Sequence, residues 1–237
     1  MTSDILSKAY LSFKERLKFC LVIALWIPIL DISFLKSGLI YEFIYELSDT
    51  YTIGNYLSIF IYDVLGAYLG SVMAVYFHSS IILNQNEFRF FSKSIFKYFI
   101  FCLFMFSFST PLEYLMGLGT SLPSLAFSAI IITVCLSLFL FLFFLWSLYL
   151  PNLATQHKYG LWFIIKNSKG FRLTMVYQMV ILTILILLSM ITILLPVLGF
   201  YLFLYFVGIV TCYGICMLSQ TYLLWEESLN LSEVKNK

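Results

Sequence analysis

From Leu173 to Trp225 the chain carries no charged residue. A helix needs ~20 apolar residues to cross the hydrocarbon of a bilayer, so this stretch is more than twice too long for one crossing and too apolar for a soluble surface. The segment from Pro196 to Gly199 interrupts it with helix-breaking residues. The run therefore predicts two membrane helices, about 173–195 and 200–224, joined as a tight hairpin.

The same window applied upstream predicts four further spans, at about 17–35, 56–83, 96–115 and 125–150. The first is interrupted by Asp31, the second holds Asp63, the third ends at Pro111 and Glu113, and the fourth stops at Pro151. With 62% hydrophobic and 11% charged residues, the remainder of the chain contains no stretch resembling a soluble domain. Although Phe19–Leu30 follows a charged N-terminus, no small-residue cleavage site comes after it, so it reads as a retained first span.

Orientation follows from lysine and arginine, which accumulate on the cytoplasmic side. With six spans, every Lys and Arg except Lys36 falls on one face: the N-terminal tail, the loop after span two, the loop after span four and the C-terminal tail. Adding or removing one span destroys that partition. The expected fold is an all-α polytopic bundle with six transmembrane helices and both termini cytoplasmic, in one membrane domain spanning 1–237. The first 18 residues read as an interfacial helix. Ile5, Ala9 and Phe13 would form its apolar face, and Lys8, Lys14, Arg16 and Lys18 would reach anionic headgroups.

Asp63 is the intramembrane polar residue of greatest interest. A carboxylate inside a span is costly and is a site candidate by default. At 100° per residue it shares a face with Gly66, Ala67, Gly70 and Ala74, and Gly66 to Gly70 is a GxxxG pattern that lets helices approach closely. His78 lies at the edge of that face. Asp63 and His78 are thus binding candidates, and Gly66, Gly70 and Ala74 helix-packing candidates. The competing reading makes Asp63 a packing residue, hydrogen-bonded to Gln178, Thr183 or Thr192 of span five.

No GxSxG, HExxH, P-loop or GxGxxG motif occurs, so no catalytic residue is proposed and an enzyme is not expected. Cys20, Cys102, Cys135, Cys212 and Cys216 all lie in apolar runs without metal-ligand spacing, so no metal or cofactor is expected. A net charge of +2 without a basic stripe excludes nucleic acid as a partner. The expected partners are the lipid bilayer and a lipid ligand or membrane-protein partner.

The stretch from Leu150 to Gly160, followed by an apolar segment ending at Ser168, is similar to a pattern of the YciC-like family of six-span bacterial inner-membrane proteins. It also resembles the membrane domain attached to some glycerophosphodiester phosphodiesterases. Pro151, Lys158, Gly160 and Ser168 carry the resemblance. Lys169 stands where many such proteins have Trp or Met. The resemblance implies a multi-pass protein of the bacterial inner membrane and brings no catalytic residues with it. The functional expectation is a role in envelope or lipid homeostasis. The alternatives are a membrane subunit of an ATP-driven transporter, coupled through the loop 152–172, or a structural or assembly factor using the GxxxG face.

Overall fold

The computed structural model of the chain describes residues 2–29, 53–104, 134, 147–155, 158–195 and 198–235, with side chains outside 53–63 and 231–235. Among the described residues the secondary structure is helical without strands. We number the helices α1 (Thr2–Glu15), α2 (Leu17–Ala24), α3 (Ile53–Ile82), α4 (residues 93–104), α5 (Tyr149–Ala154), α6 (Leu161–Asn167), α7 (Arg172–Ser189) and α8 (Gly199–Lys235). Short 3-10 turns follow α6 and α7. Three described stretches are long and apolar enough to cross a membrane: Val64–Ile82, Lys169–Leu194 and Gly199–Asn230. The helix over Leu17–Ile29 is apolar but shorter. Most of the expected spans three and four, the end of expected span one, and the expected outer loops lie outside the described residues.

α8 is the central post. At 37 residues and 1.5 Å per residue it is about 55 Å long, and α1, α2, α3 and α7 all pack on it. α1 and α2 run antiparallel to it in steps of four. Ser12 accepts a hydrogen bond from Gln220 at 2.9 Å, Cys20 packs in one cluster with Cys212, and Ala24 lies against Gly208. This is the i±4 row of one helix meeting the i±4 row of another. Small residues permit the close approach: a Cβ on Gly208 would sit 3.0 Å from the Ala24 Cβ.

α3 runs parallel to α8, with Met73 beside Cys212 and His78 beside Ser219. α7 runs antiparallel, with Gln178 on Thr221 and Leu182 on Gly214. Those directions gather the ends of α3 and α8 and the starts of α4 and α7 at one end of the bundle. The described lysines and arginines from Lys8 to Arg172 lie toward that end, which we term the basic end. Large apolar side chains on α7, among them Val180, Ile184, Leu187 and Leu188, are exposed. A helix apolar on its outer face suits lipid.

The expected hairpin of spans five and six is present as α7, a 3-10 turn and α8. Leu195 leaves the turn in an extended conformation, Gly199 N–H donates to Leu195 O at 3.2 Å, and the Thr192 hydroxyl donates to Gly199 O at 3.3 Å.

The N-terminal segment differs from the interfacial reading. α1 is helical and buries Ile5 and Ala9, but against α8 rather than lipid. Arg16 turns inward instead of reaching headgroups. Its Nε donates to Ser80 Oγ at 2.8 Å and its Nη2 to Ser80 O at 3.0 Å, while Nη1 donates to Ser12 O at 3.0 Å. Ser80 lies in the last turn of α3, where carbonyls lack intrahelical donors and the helix dipole favours a cation. Arg16 therefore caps α3 and ties α1 to it. Arg16→Met keeps the aliphatic stem and removes these bonds. It is expected to cost about 2 kcal/mol, read as a lower thermal midpoint in detergent. A midpoint equal to that of the parent protein would show that water caps α3 equally well.

Candidate functional site

α3 ends because Asn84 takes a left-handed conformation, φ 55°, which an Asn tolerates better than most side chains. Residues 85–89 then lead without helix to the start of α4, whose first turn is capped by Ser92 accepting from Ile95 N–H at 3.1 Å. From Glu87 to Phe90 the side chains alternate between two sides. Gln85, Glu87 and Arg89 face a polar cavity of about 240 Å³, also lined by Ser79, Ser92, Ser94 and Thr155. Phe88 and Phe90 face an apolar cavity of about 510 Å³ between α2, α3 and α8. One short segment thus separates a polar chamber at the basic end from an apolar one beside the bundle.

The partition is held from several directions. The Phe88 ring packs on Phe19 and Tyr76, each with centroids 5.5 Å away. The Tyr68 hydroxyl donates to Phe90 O at 2.6 Å. Arg89 pairs with Glu87. Ser79 Oγ and Ser94 Oγ reach the backbone carbonyls of Ala154 and Thr155 at 3.4 and 3.5 Å, closing the polar chamber against α5.

Gly66 and Gly70 line the apolar cavity. A Cβ added to either meets nothing within 4 Å among the described residues, so no described helix approaches closely there. Close approach occurs at Gly208 against Ala24. Ala74 is buried in a cluster with Val72, Ile95, Tyr98 and Leu153, where α3, α4 and α5 meet. Asp63 belongs to α3, but its side chain lies outside the described residues. Of its proposed partners, Gln178 donates to Thr221 and Thr192 to Ser189 O and Gly199 O.

His78 is fully buried. Ser219 spends its proton on Ile215 O at 2.8 Å, so its oxygen accepts and His78 Nδ1 must donate across 2.8 Å. That places a proton on Nδ1. Its Nε2 faces the Tyr98 hydroxyl at 3.5 Å. The arrangement ties α3 to α8 and α4.

The four residues of the family pattern gather in a cap at the basic end. Pro151 and Asn152 are buried in α5. Asn152 Nδ2 donates to Tyr159 O at 2.8 Å, and its Oδ1 accepts from Tyr159 N–H at 3.1 Å and from the Tyr222 hydroxyl at 3.2 Å. Lys158 pairs with Glu226 at 2.9 Å. Glu226 raises the lysine above its ordinary value, so the lysine stays charged through neutral pH and loses its proton as pH rises through that raised value. Gly160 precedes α6 in extended conformation. Ser168 is buried at the end of α6, its N–H donating to Ile164 O at 2.9 Å. Tyr159 and Trp225 pack edge to face, and Trp225 Nε1 donates to Asn167 O at 3.3 Å.

Sequence reasoning missed Arg16 as a cap, Asn152 as the hub of this turn, and the chambers about Arg89. The alternation of Glu87, Phe88, Arg89 and Phe90 is a period-2 signal that could have revealed the last. Comparison of the chain with family models, with curated proteins and with solved structures finds no match in any of the three. Among the described residues no group of His, Cys, Asp and Glu could hold a metal ion.

Proposed function

We propose that the chain is a six-span protein of a bacterial inner membrane, with both termini cytoplasmic, that holds a phospholipid-like amphiphile and serves envelope or lipid homeostasis. The observation that carries the ligand is the segment between α3 and α4, which turns Glu87 and Arg89 to a polar chamber and Phe88 and Phe90 to an apolar one. A phosphate-bearing headgroup suits the first, where Arg89 and the hydroxyl of Ser92 offer donors. An acyl chain suits the second. The gathering of basic residues at one end supports the cytoplasmic orientation. Pro151, Lys158, Gly160 and Ser168 support membership of the YciC-like family.

The test is native mass spectrometry of the protein released from lipid nanodiscs. The native chain is expected to retain one phospholipid. Gly70→Leu, which fills the apolar chamber, should lose it, and Asp63→Asn should keep it. Equal retention in the native chain and in Gly70→Leu would remove the site.

A second reading, the membrane subunit of an ATP-driven transporter, has one observation in its favour. Trp162 on α6 is 81% exposed beside Lys166 at the basic end, where a coupling surface would lie. Stoichiometric co-purification of an ATPase, lost in Trp162→Ala, would favour it.

A further inference from the structure

A third cavity, of about 300 Å³, lies between α4, α7 and α8 and meets the apolar chamber at Thr211. Tyr98, Met175, Met179, Leu182 and Ile215 are among its walls, and among the described residues no Asp, Glu, Lys, Arg or His lines it. Gln178 also lines it and is only 5% exposed. The orientation of its amide is fixed by its neighbour. Thr221 donates its single hydroxyl proton to Met217 O at 2.9 Å, so its oxygen must accept from Gln178 Nε2 at 2.6 Å. That leaves Gln178 Oε1 without a hydrogen-bond partner among the described residues. A buried carbonyl with no donor is a standing cost, and it lies at the wall of a cavity large enough for part of a small ligand.

We infer that this cavity binds a neutral lipid bearing a hydroxyl group, of the diacylglycerol type, with the hydroxyl donating to Gln178 Oε1. Neutrality follows from the uncharged wall. The hydroxyl follows from the unpaired acceptor. The acyl chains follow from the rim, where Thr183, Ile186 and Thr211 are exposed. These rim residues lie within the apolar stretches Lys169–Leu194 and Gly199–Asn230, so the cavity opens toward the lipid that surrounds such helices. Met175 and Met179 can adapt to a chain that enters there.

The inference is tested by equilibrium binding to the full chain in nanodiscs, followed by native mass spectrometry. The probes are dioleoylglycerol and its 3-acetyl derivative, which lacks the donor. The native chain is expected to bind dioleoylglycerol about tenfold more tightly than the acetylated lipid, the ratio of one hydrogen bond. Gln178→Met, near in shape but without the acceptor, should bring the ratio to about one. Gly214→Leu, which intrudes on a cavity-lining position already in contact with Leu182, should abolish binding of both lipids. Equal affinity of the native chain for the two lipids would overturn the inference, and that measurement needs no variant to fold. A ratio kept in Gln178→Met would overturn it as well. Retention of a phospholipid by the native chain and its loss in Gly70→Leu report on the other site alone, so the two readings can fail separately.

Discussion

Asn152→Leu is expected to loosen the cap at the basic end and to cost about 3 kcal/mol of stability. The substitution is close in volume, so packing is nearly preserved and hydrogen bonding is what changes. Leucine cannot donate to Tyr159 O, nor accept from Tyr159 N–H and the Tyr222 hydroxyl, which Asn152 does at 2.8, 3.1 and 3.2 Å. Asn152 is fully buried, so water cannot simply replace it, and each polar group left behind carries its own desolvation cost. Tyr159 would lose its link through Asn152 to Tyr222 of α8. Trp225, with no exposed surface, packs on Tyr159 and would lose part of its contact. Thermal unfolding in detergent should show the midpoint falling by on the order of 10 °C. Asn152→Asp, which keeps the acceptor but not the donor, should fall by less. A Leu variant as stable as the native chain would mean that the cap is held by the aromatic cluster alone.

Gly199→Ala is expected to be nearly as damaging, about 3 kcal/mol, although it adds a single methyl group. The added Cβ would lie 2.3 Å from Thr192 O and 3.1 Å from two backbone atoms of Ile193. No rotamer relieves a clash between a Cβ and the main chain, so the turn between α7 and α8 must open. Opening it also strains the Thr192 hydroxyl bond to Gly199 O. The control is Gly66→Ala and Gly70→Ala. Both glycines have open space at the Cβ position, and alanine is the better helix former. Those variants should stay within about 0.5 kcal/mol of the native chain. Fluorescence-detected size exclusion after a temperature series would rank the three. If Gly66→Ala or Gly70→Ala proved the least stable, the open chamber between α2, α3 and α8 would be wrong.

That ranking differs from the one the sequence suggests, and the reason is physical. A GxxxG pattern shows that a helix could be approached closely, and says nothing of whether a partner arrives. In α3 the glycines border a cavity. The close approach occurs at Gly208, whose partner Ala24 lies far away in sequence. The same limit applies to α1. Its periodicity shows that Ile5 and Ala9 share a buried face, and they do. Whether that face meets lipid or another helix depends on what stands beside it, and α8 stands there. Arg16 was legible as a basic residue near a helix boundary, yet its use as the cap of α3 depends on Ser80, brought near only by folding.

The local terms were legible because they are short-range. A charge-free run cannot be left in water, so the helices of the α7–α8 hairpin follow from composition, and the turn follows from Pro196 and Gly199. What the tertiary structure decided is pairing: Gln178 with Thr221, His78 with Ser219, Asn152 with Tyr159 and Tyr222, Arg16 with Ser80. Most of these polar contacts join residues distant in the chain, and in an apolar interior each group must find its partner across helices. A sequence lists the donors and acceptors, but only the packing of α1, α3, α5 and α7 around α8 determines which of them meet and that Gln178 keeps an acceptor to spare.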